Sequence, residues 1–197
     1  MENTTKDSIM RKAFELFLQK GYKAVTVQDI CRACDITKTT FYYHLRSKEE
    51  IILTMYDPIV QNLTAYMPNI LQADRYWEQL MALFETLMKE SVKYGIDLQK
   101  QLFIANLNQD HGSFDFREEL TRIAVTLIEK AQKAGQIRNQ SPALALYRAS
   151  AYAFLGYELT WSMKGDAFAG FRQIRRAMEQ IYDAAPELRL APVESVK

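Results

Sequence analysis

A chain of 197 residues with 48% apolar content can bury one core or two small ones, and its 7 Gly and 5 Pro leave room for long helices. A net charge of +1 excludes a protein that coats nucleic acid by charge alone. No apolar run approaches the roughly 20 residues of a bilayer span, the N-terminus is polar rather than signal-like, and two cysteines make no secreted disulfide framework. The expected setting is a reducing cytoplasm, with no membrane partner.

Apolar residues recur at spacings of three and four, with no useful strand-like alternation, so the predicted class is all-α. The first helix is expected over about Thr5–Lys20, with Ile9, Ala13, Leu16 and Phe17 on one face and Gly21 as its stop. Thr26 and Asp29 form a capping box that starts a second helix at Val27, with Ile30 and Cys34 facing inward. The chain breaks near Asp35, a residue that tolerates left-handed backbone better than most. Thr37 then caps a short third helix through Tyr43, presenting Thr37, Lys38, Thr39, Tyr42 and His44 outward while Phe41 and Leu45 turn into the core. Ser47 and Glu50 make a second capping box, opening a fourth helix at Lys48 that runs through Ile51, Ile52, Met55 and Tyr56 until Pro58 kinks or ends it near Asp57. Helix, tight turn and short polar helix is the helix-turn-helix arrangement, whose second helix enters the major groove of double-stranded DNA.

These residues resemble the DNA-binding domain of the tetracycline-repressor (TetR) family. The likeness runs from about Ser8 to Leu53, through Ala13-Phe14-Glu15-Leu16-Phe17, Gly21-Tyr22, Thr26-Val27, Asp29-Ile30, Thr40-Phe41-Tyr42-Tyr43-His44 and Ser47-Lys48-Glu49-Glu50. The resemblance implies that Thr26 and Tyr42 touch phosphate and that Lys48 meets the DNA backbone at the start of the fourth helix. It implies that Thr37, Lys38, Thr39 and Tyr43 face bases or adjacent phosphates, with Thr40 and His44 completing the DNA-binding set. The chain departs from the family pattern at Thr39 and Asp35, where Gly is usual, and at Cys31 and Cys34, where Ala is usual. Residues 1–50 carry nine Lys and Arg against seven Asp and Glu. So small an excess calls for a dimer to double the phosphate contacts.

Further helices are expected at roughly 74–94, 96–109, 114–134, 142–164 and 167–185. Gly135 stops one of them, Ser141-Pro142 starts the next, and Gly165-Asp166 separates the last two with Asp166 as N-cap; the residues from Ala191 onward read as a loose tail. The helix from Pro142 is apolar nearly all round. Ala145, Ala149, Ala153, Gly156 and Thr160 make a small-residue stripe, Tyr147, Phe154 and Trp161 a second face, and Tyr152, Leu155, Leu159 and Met163 a third. The last helix carries a seam of Phe171, Ile174, Met178, Ile181 and Ala185. These two helices can form a four-helix homodimer interface, as the resemblance also implies.

The resemblance further implies a small, largely apolar effector bound in the helical body. Candidate lining residues are Trp77, Phe84, Met88, Phe103, Leu107, Tyr147, Tyr152 and Trp161. Apolar side chains at helical spacing also fill ordinary cores, and that alternative stays open. Neither a phosphate-binding glycine loop nor a His-Glu-x-x-His motif is present, so no enzyme, metal or cofactor is expected. Cys31-Arg-Ala-Cys34 reads as buried thiols in preference to a thiol sensor.

The expectation is therefore a DNA-binding head at 1–50 and a ligand-binding and dimerisation domain at 51–197. Together they would make a ligand-responsive transcriptional regulator, a repressor released from a two-fold operator by its effector. A helical DNA-associated adaptor without an effector is the alternative, and a helical enzyme a more distant one.

Overall fold

Local capping signals determine where the helices of the N-terminal region begin. A computed structural model describes residues 5–165 and 170–191. Among these residues there are no strands, only helices and one isolated antiparallel bridge between Ile137 and Ala184. Helix α1 spans Thr5–Lys20 and buries Ile9, Ala13 and Phe17, which follow one another at four-residue intervals along one face. It ends at Gly21, whose φ of +81° suits glycine and whose N–H donates back to the Phe17 carbonyl at 2.8 Å.

Helix α2, Val27–Cys34, opens on the complete Thr26/Asp29 capping box. Its buried face is Ile30 with Cys31, while Cys34 is half-buried. Asp35 follows in the left-handed conformation (φ 53°, ψ 47°), as its residue type allows. Helix α3, Lys38–His44, starts where the Thr37 hydroxyl accepts from Thr40 N–H at 3.1 Å. Phe41 and Leu45 lie four residues apart and are both buried.

Helix α4, Lys48–Leu53, is capped by Ser47, which accepts from the Glu50 N–H. Glu50 returns its carboxylate to the N–H of Arg46 at 2.7 Å, one residue upstream of the position a capping box uses. The expected extension to Asp57 is not realised. The helix stops at Leu53, the chain turns through Thr54–Tyr56, and α5 (Asp57–Gln61) starts with Pro58 in its first turn. Proline is tolerated there because a first-turn N–H has no helical acceptor to lose. A further helix that the sequence pattern did not suggest, α6, spans Leu63–Ile70 and contains Pro68.

The remaining helices are α7 (Tyr76–Val92), α8 (Gly95–Asn108), α9 (Glu118–Lys133), α10 (Ala143–Lys164) and α11 (Phe171–Ile181). The chain divides into two compact units: residues up to Ile59 with Lys89–Asp115, and Val60–Met88 with residues from Phe116 onward. In the first unit, Leu98 and Leu102 of α8 join Ile9, Phe17, Ile30, Phe41, Leu45, Ile51, Ile52 and Met55 in one buried core.

In the second unit α10 packs against both α9 and α11. Its N-cap position is Pro142, with no side-chain cap, so Ser141 does not serve the capping role expected of it. Gly165 ends α10 with a φ of +73°, and Asp166 lies outside the described residues. Leu146, Tyr147, Tyr157 and Trp161 of α10 are buried, while Leu144, Ala145, Ala149, Tyr152, Gly156, Leu159 and Met163 are exposed. Helix α11 stops at Ile181, short of Ala185. Asp183 turns the chain with a φ of +46°, Ala184 bridges to Ile137, and Pro186–Leu188 forms a 3-10 turn. The Tyr182 hydroxyl is buried at 2.7 Å from Ser150 Oγ, and Arg175 forks onto Glu78 at 2.7 and 2.9 Å. Of the expected C-terminal tail, only Ala191 lies within the described residues.

Candidate nucleic-acid interface

Two short helices joined by a tight left-handed turn leave α3 with one buried and one open side. Phe41 anchors the buried side. Opposite it, Tyr43 is 84% and Tyr42 54% exposed, and Lys38 and Thr39 stand open at the N-terminal end. Tyr42 is braced edge-on by Phe41 (centroids 5.4 Å apart) and Tyr43 by His44 (5.0 Å), so each ring is both exposed and sterically guided.

The other predicted contact residues carry structural duties as well. Thr37 is exposed and caps α3, with its hydroxyl 2.9 Å from that of Thr40, which is half-buried. His44 is half-buried. Thr26 is exposed, but its hydroxyl donates to Asp29 at 2.6 Å and its N–H to the same carboxylate at 2.9 Å. These bonds, the hydroxyl first, hold the Asp29 carboxyl below the usual range.

Lys48 is the most constrained of the set. Its ammonium donates to the carbonyl oxygens of Tyr22 and Val25, both at 2.8 Å, and lies 4.0 Å above the Tyr22 ring. Partial burial lowers its pKa. Asp97 at the start of α8 accepts from the Tyr22 N–H at 2.9 Å. The α1–α2 connection is thus held through one residue by a lysine of α4 and a carboxylate of α8. Sequence reasoning missed Tyr22 and Asp97 in these roles. The only forward signal was the Gly21-Tyr22 pair, and Asp97 had none.

The basic residues of this unit are partly neutralised. Arg11 and Lys12 both reach Glu15, at 2.8 and 2.9 Å, and Lys6 lies 3.5 Å from Glu50. Cys31 and Cys34 are free thiols; Cys31 is buried, and burial pushes the Cys34 thiol up, away from thiolate character. Among the described residues no three His, Cys, Asp or Glu side chains gather in a metal-binding group, and no helix is long and apolar enough to cross a membrane.

The candidates for a ligand site divide between the two compact units. Phe103 and Leu107 belong to the first unit, where Phe103 is buried and stacks on Phe114 while Leu107 is 81% exposed. Trp77, Phe84, Met88, Tyr147, Tyr152 and Trp161 belong to the second. There Trp77, Phe84, Tyr147 and Trp161 are buried, Met88 is half-buried, and Tyr152 is 63% exposed, edge-on to Phe116 at 5.5 Å.

Residues 9–55 match the family described as bacterial regulatory proteins, tetR family. The HTH-type transcriptional regulator TcmR of Streptomyces glaucescens is 46% identical over 50 residues, covering 25% of this chain and 22% of that protein. The transposon Tn10 TetC protein of Escherichia coli is 29% identical over 99 residues, covering 50% of this chain and 48% of that protein. The chain therefore spans about half or less of the length of these curated relatives. In fold it is similar to Thermus thermophilus FadR, a TetR family transcriptional repressor solved in complex with lauroyl-CoA. The TM-score is 0.67 at 21% identity, over 96% of this chain and 99% of that one. The segment that holds the capped helix-turn-helix, residues 9–55, thus matches the tetR family of bacterial regulatory proteins, and the chain as a whole is similar in fold to the TetR family repressor FadR.

Proposed function

We propose that this chain is a ligand-responsive repressor that binds a two-fold operator as a homodimer and leaves it when a small, largely apolar effector binds. The observation that carries the reading is the open face of α3, where Lys38, Thr39, Tyr42 and Tyr43 project from a helix whose other side is locked by Phe41. Lys38 and Tyr43 are the base readers, with Thr37 and Thr39 beside them. Tyr42, Thr26 and Lys48 meet phosphate, and Thr40 and His44 support the helix from its half-buried flank. Phosphate contacts set the register and base contacts the sequence.

Dimerisation is supported by the exposed side of α10. Leu144, Tyr152, Leu159 and Met163 stand there among the small residues Ala145, Ala149 and Gly156, so a second helix could approach closely. With α11 alongside, two protomers would form a four-helix interface that sets the two heads roughly 34–36 Å apart for successive major grooves. Residues 1–50 then read DNA, and 51–197 bind effector and partner. The effector acts by binding more tightly to a state whose heads are badly spaced. An apolar effector is supported by the aromatic content of the body, and in FadR's ligand only the lauroyl chain is of this kind. The chain works in the cytoplasm and has no catalytic role.

The test is selection of duplexes from a random library by the full-length protein. Enrichment of a two-fold site, protected over two half-sites one DNA turn apart, is the expected result. Enrichment of asymmetric sites, or none, would refute the dimeric operator reading. Operator affinity unmoved by any compound that binds the protein would favour an adaptor without an effector.

A further inference from the structure

Among the described residues of the first compact unit, two buried polar side-chain atoms have no protein partner, Oε1 of Gln99 and Oγ of Ser113. Gln99 is fully buried on α8, and Ser113 is 6% exposed on the α8–α9 connection. The other end of the Gln99 amide is engaged: Nε2 donates to the Tyr56 hydroxyl at 2.6 Å. Tyr56 lies edge-on to Phe114, with centroids 6.1 Å apart, and Phe114 stacks on Phe103 at 4.9 Å with the planes 20° apart. Gln99 and Phe103 are one turn apart on α8, and Ser113 directly precedes Phe114. The two orphaned polar atoms therefore belong to residues joined to one group of three aromatic rings, Gln99 through its bond to Tyr56 and Ser113 through the chain to Phe114.

A buried carbonyl oxygen with no donor is costly, and folded proteins keep few of them. Where one persists it marks strain, a functional role or a hydrogen bond supplied from outside the protein. None of the five side chains carries a charge, so an ion would be desolvated here without a counter-charge. A flat apolar ring with one N–H or O–H meets both demands, stacking with the phenylalanines and donating to the amide. We propose that Gln99, Ser113, Tyr56, Phe103 and Phe114 bind a small uncharged aromatic molecule carrying a hydroxyl or N–H group. Its donor goes to Gln99 Oε1, its ring lies against Phe103 and Phe114, and Ser113 serves its polar edge. Phe114 is half-buried on the α8–α9 connection, so one side of the group stands near the surface. The site deepens the effector reading and rests on it only for what binding does to DNA affinity.

Phenol and toluene share a ring and differ in the donor, so they are the probes. Each is titrated against the full-length protein without DNA, by calorimetry and by following protein side-chain NMR signals. Phenol should bind about tenfold more tightly than toluene, the worth of one satisfied buried hydrogen bond. The variant Gln99→Met, which keeps the length but lacks the amide, should bind both alike. Equal binding by the native protein, or an unchanged ratio in Gln99→Met, overturns the site. So does a crystal in which a water on Gln99 is not displaced by phenol. Should the variant fail to fold, nuclear Overhauser contacts from phenol to the Phe103 and Phe114 rings of the native protein decide, their absence counting against the proposal. Operator affinity is then measured separately. Phenol that binds here without releasing DNA keeps the site and counts against its effector role, whereas no phenol binding here together with DNA release by other compounds removes the site and keeps the effector reading.

Discussion

Lys48 holds Tyr22 in two ways at once: its ammonium donates to the Tyr22 carbonyl oxygen at 2.8 Å and stands 4.0 Å above the centre of the same residue's ring. A second bond to the Val25 carbonyl fixes the chain one residue before Thr26, the cap of α2. Two of the three ammonium protons are thereby committed, leaving one for a DNA phosphate.

Replacing Lys48 with Met should therefore do two things. It should destabilise the fold by about 1–3 kcal/mol through the lost charge-assisted bonds and ring contact. It should also weaken binding to every duplex by a similar factor and lower the salt slope by about one. Thermal melts and anisotropy titrations at several salt concentrations measure both effects. A loss confined to one operator would refute the assignment.

Asp97 grips the same residue from α8, through the Tyr22 N–H. Asp97→Ala should cost about 1 kcal/mol of stability, the usual worth of one such bond. It should also weaken operator binding, although Asp97 itself reads no DNA. Asp97→Asn, which keeps an acceptor oxygen, should restore most of both. An alanine variant with native affinity and melting temperature would show that the bond positions nothing.

Lys38 and Tyr43 are exposed, so their loss should leave the melting temperature nearly unmoved. Alanine at either position should change the ranking of selected operators, with each lost base contact costing about 1–3 kcal/mol at its own base pair. Competition between single-base operator variants measures this. Uniform weakening on all sequences would place both residues on phosphate.

Stability should fall at both ends of the pH range. Burial, and then the Glu49 carboxylate, push the Tyr22 phenol up from 10.0 to about 12. A raised folded value gives stability fully present below the unfolded value near 10 and lost as the pH climbs through about 12. Asp29 is held low, so its contribution is present above its unfolded value and is lost as the pH drops through the folded one. Melting temperatures of Tyr22→Phe should decline less in alkali, and those of Thr26→Ala less in acid. Some alkaline loss should remain, because burial also raises the Tyr182 phenol of the second unit.

The helix starts at Val27, Lys38 and Lys48 were legible because Thr26, Thr37 and Ser47 declare them within three residues. The inward turn of Phe41 and Leu45 follows from their four-residue spacing. The end of α4 was not legible, because Pro58 can equally break a helix or sit in the first turn of the next. Lys48 was recognised as a cation, but its acceptors are backbone carbonyls, which every residue possesses. Asp97 meets Tyr22 across 75 positions of sequence, and no local pattern records such a meeting. The exposure of Leu107 and Tyr152 was hidden for a related reason: helices that are apolar on most sides do not reveal which side their neighbours cover.

Leu98 and Leu102 lie in the same core as the helices of the helix-turn-helix, though nearly thirty residues assigned to the other unit come between. During synthesis, the N-terminal helices emerge from the ribosome well before α8 can close their core. The candidate DNA-contact region is thus made before Leu98 and Leu102, the two leucines that complete its hydrophobic interior. A fragment cut after Ile59 would carry every candidate DNA contact and still lack two buried leucines of its core. Attempts to transplant this head onto another protein should therefore bring α8 with it.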